Sequence, residues 1–516
     1  MSMNKENNVA YERIPAEKFA FTQLDASIHD KRLETKTRGY FADAFLRFKK
    51  NRSSLVAAII IIFLLLFAIV SPIISPYNIH DKDTMYVNHP PFLRAVADRG
   101  WGFLNGATTR DSQNDLAMSY WKGIAEETGM DPVLGILDVH TTYVKHRGQM
   151  KENNTYTIQT NRYYETGVLY RTFKYAEFQK IMDWQNETGV QVIYPYVEPK
   201  DICDIADNPN IWYQVKDAKG TPVLDDAGNF IPAYSTNKDL EGMEYNSLRI
   251  EGDDGSYIYS AKKSGAVHCR VLYYNYYYYL NNREPMFLFG TNSMGQDIFS
   301  AIGIGARFSI VFAILVSAIN LTLGAIYGSI EGYYGGKVDL TMERISDILS
   351  GLPFIVCTTL FQLHLAQKVG VVPAFLFAFV LTGWIGMAAL TRKQFYRFKG
   401  QEFVLAARTL GASDRRLMFK HIFPNSLGTI ITSCALVIPG VISSETQLTY
   451  LNIINLQEFA GTSIGTLMAQ GQVAMTTAPH GMLFPSLFVS LLLISFNLFG
   501  NGLRDAFNPS TRGVED

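Results

Sequence analysis

Cysteine is scarce in this 516-residue chain. The four cysteines form no C-x-x-C pair, so no metal-type cluster can be read from their spacing. An excess of basic charge is also missing: the net charge is -1, and nothing global argues for nucleic acid as a partner. A cleavable leader is not expected, because about 50 mostly polar residues precede the first apolar run and no clean small-residue cleavage site follows it. That run is therefore expected to stay as an anchor. A phosphate-binding loop is lacking too. Gly335-Gly336-Lys337 has Glu331 and Val338 where G-x-x-x-x-G-K-[ST] needs glycine and a hydroxyl residue. The middle of the chain has neither a nucleophile elbow nor an H-E-x-x-H motif, and no long apolar run.

What is present is segregated. Apolar residues make up 48% of the chain but gather at its two ends, and the length allows two or three domains. Phe41, Ala44, Phe45 and Phe48 share one helical face, which predicts a short amphipathic helix on the inner membrane surface. Leu55–Ile74 is long enough to span a bilayer core of about 30 Å. Arg47, Lys49, Lys50 and Arg52 precede it, which predicts a cytoplasmic N-terminus. Four more apolar runs lie at about 306–330, 348–366, 371–390 and 426–447, and a fifth at about 482–500. Six spans put both ends inside. The loop 391–421 is rich in Lys and Arg, whereas 448–481 has none, as the positive-inside rule requires.

Residues 77–289 hold most of the tyrosines and are expected to form an α+β domain outside the membrane. "DLAMSYWKGIAEETG" and "YAEFQKIMDWQNETG" predict helices closed by Gly129 and Gly189. "TPVLDDAGNFIPAY" and "SLRIEGDDGSYIYS" predict strand pairs. The run Tyr273–Tyr279 reads as a strand, either a peptide-binding aromatic face or a half-buried cover of the core. Cys203 and Cys269 are the candidates for a disulfide, two buried free thiols being the alternative. Pro353, Pro439-Gly440 and Pro485 interrupt spans, which suits a pathway-forming bundle. Gly303, Gly305, Gly324 and Gly328 predict close helix contacts.

The most basic loop contains "EFVLAARTLGASDRRLMFKHIFPN", Glu402 to Asn425. Phe403, Ala406, Ala407 and Leu410 make one apolar helical face, Gly411 ends that helix, and Ser413 or Asp414 caps the next, which is expected to run until Pro424. This segment resembles the EAA loop of ABC-transporter permeases: E-A-A, three residues, G, nine residues, I-x-L-P. Here it reads Leu405-Ala406-Ala407, then Gly411, then His421-Ile422-Phe423-Pro424. The departures at Leu405, His421 and Phe423 suit the oligopeptide/dipeptide/nickel branch. "LFGTNSMGQDIFSAIGIGARFSI" is similar to that branch's G-T-D-x-x-G-R-D segment, with Asn292 and Gln296 as departures. "LTGWIGMAALTRKQ", "SSETQLTYLNI" and "GNGLRDAFNP" extend the resemblance.

The resemblance implies an all-α membrane bundle of six transmembrane helices, the type I ABC importer permease, with an α+β domain inserted between spans 1 and 2. The division is then 1–53 as cytoplasmic tail and interfacial helix, 54–76 as the first span and 77–289 as the extracytoplasmic domain. Residues 290–505 form the permease core, with the cytoplasmic EAA loop at 391–424, and 506–516 the cytoplasmic C-terminus. It implies half of a translocation pathway in a bacterial cytoplasmic membrane. The partners are a second homologous permease, two cytoplasmic ATPase subunits and an extracytoplasmic substrate-binding protein, lipoprotein or periplasmic. The chain would bind no cofactor, ATP and magnesium belonging to the ATPases. Ala406, Ala407, Arg408, Gly411, Ala412, Ser413 and Asp414 would contact the ATPase. Glu445 is an ionisable residue within a span, where such groups usually face the bundle interior. It stands with Gln447 and Pro439 as a candidate for the pathway or its outer gate, a satisfied hydrogen bond to a neighbouring helix being the alternative reading of Glu445. Peptides are the expected cargo; nickel chelates or another small solute, and a membrane-anchored sensor or enzyme, are the alternatives. Residues 77–289 are expected either to dock the binding protein or form a vestibule, or to cap the partner permease.

Overall fold

A computed structural model describes residues 40–146, 149–194, 226, 249–251, 257–259, 266–456 and 462–507. The N-terminal tail, Cys203 and, apart from residue 226, the strand pair expected over 221–234 lie outside these residues. The first helix, α1 (Tyr40–Lys50), buries Ala44 and Phe48 and carries Arg47, Lys49 and Lys50 in its last turn. Asn51 caps α2 (Arg52–Ile74), its side-chain oxygen accepting from the Ser54 N–H. Ser54, Ala57, Ile61, Leu64, Ala68 and Ser71 form a buried stripe at three- and four-residue spacing. Ile62, Phe63, Leu66, Ile69 and Ile73 are exposed on the other side, the face a membrane would cover.

Between this helix and the next apolar one, strands and helices mix. In order they are β1 (Ala107–Gln113), α3 (Asp115–Thr128), β2 (Val133–His146), β3 (Gln149–Asn161), β4 (Val168–Lys174), α4 (Tyr175–Thr188), β5 (Ile193–Tyr194), β6 (Arg249–Glu251), β7 (Tyr257–Tyr259), β8 (Ala266–Leu272) and α5 (Tyr273–Asn281). One sheet has the order β1-β3-β2, another β4-β8-β5, and β6 pairs with β7 as the sequence predicts. Gly129 and Gly189 close α3 and α4 in the left-handed conformation. The long β2–β3 hairpin has no clean sequence signal, because its register shifts between Val133 and Gly135 and again between Ile136 and Asp138. Two shifts scramble the alternation by which a strand is recognised.

The tyrosine run is a helix, not a strand. Tyr273, Tyr274 and Tyr277 are buried in one aromatic core with Tyr77, Tyr86, Phe92, Tyr163 and Phe287, while Tyr278 and Tyr279 pack edge-on to Trp184. Tyrosine's β propensity is a preference for a half-buried surface, and burial of three rings within two helical turns overrides it. Cys269 is a buried free thiol on β8, its pKa pushed up to about 12 by burial.

The remaining chain is helical: α6 (Ile298–Tyr334), α7 (Gly336–Ser350), α8 (Phe354–Val369), α9 (Val371–Gly383), α10 (Ile385–Phe398), α11 (Glu402–Thr409), α12 (Asp414–Tyr450), α13 (Ile464–Val473) and α14 (His480–Phe507). Among the described residues, five helical stretches are long and apolar enough to cross a membrane, with α9 and α10 counted together. There are six if α7 and α8, bent by 72° at a short break, form one span. The break falls at residues 351–353, inside the run read as the third span. Pro353 disfavours a helical residue before it and caps α8 instead.

Pro424 does not stop a helix, as the sequence suggests; α12 runs through it. The preceding residues Leu417–Ile422 form a π turn, whose wider hydrogen bonding relieves the clash a proline makes in a regular helix. Ser463 caps α13, a helix the sequence reading lacks. One apolar core joins Ile61 and Leu64 of α2, Ala306 and Phe312 of α6, Phe375 of α9, Ile442 of α12, Leu467 of α13 and Leu492 of α14. Glycine lets α6 touch α10: a side chain on Gly328 would collide with the Ala388 carbonyl.

Candidate functional site

Three features stand out: a turn between two helices, the entry to α6 and one face of α12. The first is the turn around Gly411. Helix α11 buries only Val404. Its amphipathic spacing leaves Phe403 at 41%, Leu405 at 46% and Leu410 at 88% exposure, with Ala406 exposed beside them. Gly411 has φ +81°, a conformation that closes the helix and that side chains with a Cβ rarely adopt. The Ala412 N–H donates to the Ala407 carbonyl and the Gly411 N–H to that of Arg408. Ser413 is extended and Asp414 opens α12. Beneath the turn, Val404, Leu417, Met418 and Ile422 pack on Tyr333 and Phe395, at the ends of α6 and α10. The Tyr333 hydroxyl donates to Asp414, and Arg408 donates to that hydroxyl at 3.5 Å. All seven residues named for ATPase contact therefore sit on one two-helix turn, bolted to α6.

A second tie, missed in the sequence, lies close by. The Arg392 guanidinium donates to both Asp339 and Glu343 of α7, at 2.7 to 3.0 Å, and Tyr396 also donates to Asp339. Lys399 donates to the Gly332 carbonyl at 3.0 Å. Forked donors to two carboxylates fix α7 against α10. The signal was Asp339 and Glu343 at i, i+4 on an amphipathic helix, but nothing local says which arginine they meet.

The second is the lead-in turn of α6. Asp297 caps the helix through the N–H groups of Phe299 and Ser300 and accepts from the Ser75 hydroxyl at 2.8 Å. Burial raises its carboxyl above the usual range. Asn292 and Gln296 touch each other here, Asn292 Nδ2 donating to Gln296 Oε1 at 2.9 Å. The same amide donates to Gln470 of α13 at 3.1 Å, and Gln296 donates to the Ile79 carbonyl.

The third is the face of α12 near Pro439. Glu445 is fully buried and accepts from the Ser309 hydroxyl of α6 at 2.8 Å. Pro439 is buried, while Gln447 is exposed and donates to Ser443 at 3.5 Å. The structure thus separates the three: Glu445 and Pro439 pack inward, and Gln447 shares the open side with Gly440. That open side carries a cavity of about 380 Å³ that reaches Asn320, a residue the sequence reading did not select.

A family model described as "Binding-protein-dependent transport system inner membrane component" matches residues 320–513. Another, "N-terminal TM domain of oligopeptide transport permease C", matches residues 39–91. The chain is 39% identical over 224 residues to the oligopeptide transport system permease protein OppC of Bacillus subtilis, which spans 43% of this chain and 72% of that protein. The chain belongs to this permease family. It is 34% identical over 226 residues to the dipeptide transport system permease protein DppC of the same organism, 43% of this chain and 69% of that protein. It is 36% identical over 229 residues to the OppC of Haemophilus influenzae, 44% of this chain and 72% of that protein. A solved structure of the MetNI methionine ABC transporter, inward facing, is 13% identical with a TM-score of 0.32, covering 39% of this chain and 96% of that one.

This permease is accordingly a multi-pass membrane protein and a transport subunit, not an enzyme. The family implies ATPase and substrate-binding partners in general. The two family matches leave residues 92–319 between them, which include the mixed strand and helix region and the first part of α6.

Proposed function

We propose that this permease forms half of the pathway by which an ATP-driven importer takes up peptides, oligopeptides first. A second homologous permease supplies the other half, two ATPase subunits dock beneath, and a binding protein delivers the substrate outside. Both termini lie in the cytoplasm, and residues 77–289 face the other side, where they dock the binding protein or cap the partner permease. The basic residues before α2 and in 391–421 support that orientation. The names of the relatives OppC and DppC support the cargo.

The observation that carries the coupling role is the outward apolar face of α11. Phe403, Leu405, Ala406 and Leu410 are all exposed, although the turn they sit on is firmly tied to α6 and α10. Apolar surface presented on a rigid mount is what a partner's cleft requires. ATP and magnesium then act in the partner, and force reaches the spans through Tyr333, Asp414 and the core around Val404.

A Cβ on Gly411 would meet no atom of the described residues within 4 Å, so bulk there would press on a partner rather than on the fold. Gly411→Trp is expected to abolish labelled-peptide uptake and ATPase co-purification, while membrane insertion stays normal. The substitution also strains a positive φ, so Leu410→Asp serves as an unstrained companion and should lose both readouts too. Normal uptake and co-purification in both variants would sink the coupling assignment.

A further inference from the structure

The cavity beside α12 has an uncommon polar wall. It is lined by Asn320 of α6, Phe354 of α8, Phe379 and Thr382 of α9, and Gly440 and Ser444 of α12. Asn320 stands within an apolar span, 2% exposed, and its Oδ1 has no hydrogen-bond partner among the described residues. Burying such an acceptor unpaired is costly, and polar groups inside spans usually serve a function. The fold also makes room for it. Helix α9 ends at Gly383, where any side chain would collide with the Asn320 amide. Gly440, which also lines the cavity, is exposed, and a Cβ there would meet no atom of the described residues within 4 Å. A carboxamide and two hydroxyl residues, Thr382 and Ser444, therefore share a cavity with two aromatic rings and an open side.

The chemistry fits an amide ligand. Each residue of a peptide backbone brings one N–H and one C=O, and each needs a partner wherever water is thin. A carboxamide offers one donor group and one acceptor, and hydroxyls offer both. Neither reads the side chains of the substrate, so peptides of different sequence are served alike. Charged groups would discriminate by substrate charge, and none lines this cavity.

We propose that this cavity is a backbone-amide subsite of the pathway, in which Asn320, with Thr382 and Ser444, pairs with main-chain groups of the passing peptide. The rings of Phe354 and Phe379 cover its apolar parts. This inference rests on the peptide reading above.

The test uses cells that lack the native chain, complemented with wild type, Asn320→Leu or Ser444→Ala. Uptake of a labelled alanine pentapeptide is compared with that of the same peptide N-methylated at its central amide. The binding protein is the same throughout, so any change in the ratio of the two rates arises in the permease. Wild type should prefer the unmethylated peptide. Asn320→Leu should lower unmethylated uptake about three- to tenfold, the worth of one hydrogen bond, and bring the ratio towards one. Ser444→Ala should shift the ratio the same way by less, which keeps the test decisive if the leucine variant is not inserted.

An unchanged ratio in the inserted variants would overturn the subsite. Loss of co-purification with the second permease in Asn320→Leu would also overturn it, by showing that the amide binds that chain. Uptake of neither peptide by the wild-type complex would instead overturn the peptide reading, and the subsite with it.

Discussion

His89 is sealed where the strand-bearing region meets the helical bundle. Its Nδ1 lies 3.1 Å from the Val87 carbonyl and its Nε2 3.2 Å from that of Arg162. A neutral ring can donate to only one of them. Burial nonetheless drives its pKa down from 6.5 to about 3, with His480 and Arg110 adding repulsion. The folded state therefore refuses a proton that the unfolded state accepts. As pH falls from 6.5 towards 3, His89 should cost the fold about 1.4 kcal/mol per pH unit. Above 6.5 both states are neutral and the effect vanishes. His89→Gln removes the titration. Thermal unfolding of the purified protein at pH 7 and pH 4.5 should show a smaller loss of Tm in the variant than in wild type. Equal losses would mean that His89 is protonated in the fold, held by both carbonyls.

At the scale of an element, the lead-in turn of α6 explains two departures that the sequence comparison left separate. The related pattern has an acid and an arginine where this chain has Asn292 and Gln296, and here those two side chains bond each other. A neutral, hydrogen-bonded pair stands here where that pattern places an acid and an arginine. Both are buried, at 3% and 6% exposure, so a single charge put back should be costly. Asn292→Asp alone is predicted to destabilise by about 1–3 kcal/mol, and Asn292→Asp with Gln296→Arg to recover most of that. Thermal melts of the two variants check it; a double variant as unstable as the single one would mean that the arginine cannot reach. The sequence shows both positions but not that they meet, because the contact depends on the tight turn at Gly295, φ +71°.

The same limit recurs elsewhere. Helix α12 keeps its length through Pro424 because a π turn precedes it, and no propensity rule anticipates that turn. The tyrosine helix α5 reads as a strand because its identity is set by the rings it meets, Tyr86, Tyr163 and Trp184, all far off in the chain. Asn320 lacks any periodic signal; a lone amide in an apolar run was the only clue, and its meaning appears once Gly383 and Ser444 come beside it. The apolar runs and the Gly411 turn were legible because each rests on neighbours within a few turns. Helix length, basic flanks and glycine at a left-handed position are local properties.

For the whole molecule, the account makes one chain of contacts answer for function. An exposed apolar turn at Leu410 is fastened through Asp414, Tyr333 and Val404 to α6, and α6 holds Glu445 and borders the Asn320 cavity. Under the proposed coupling, movement imposed at the turn would reach Glu445 and the Asn320 cavity without passing through a loose loop. The arrangement predicts what lies against Leu410 in the living membrane. A photo-crosslinking residue placed at position 410 in the assembled transporter measures this directly. An adduct with an ATPase subunit is expected, lost when that subunit is absent. Adducts with lipid alone, while the ATPase still co-purifies, would contradict it.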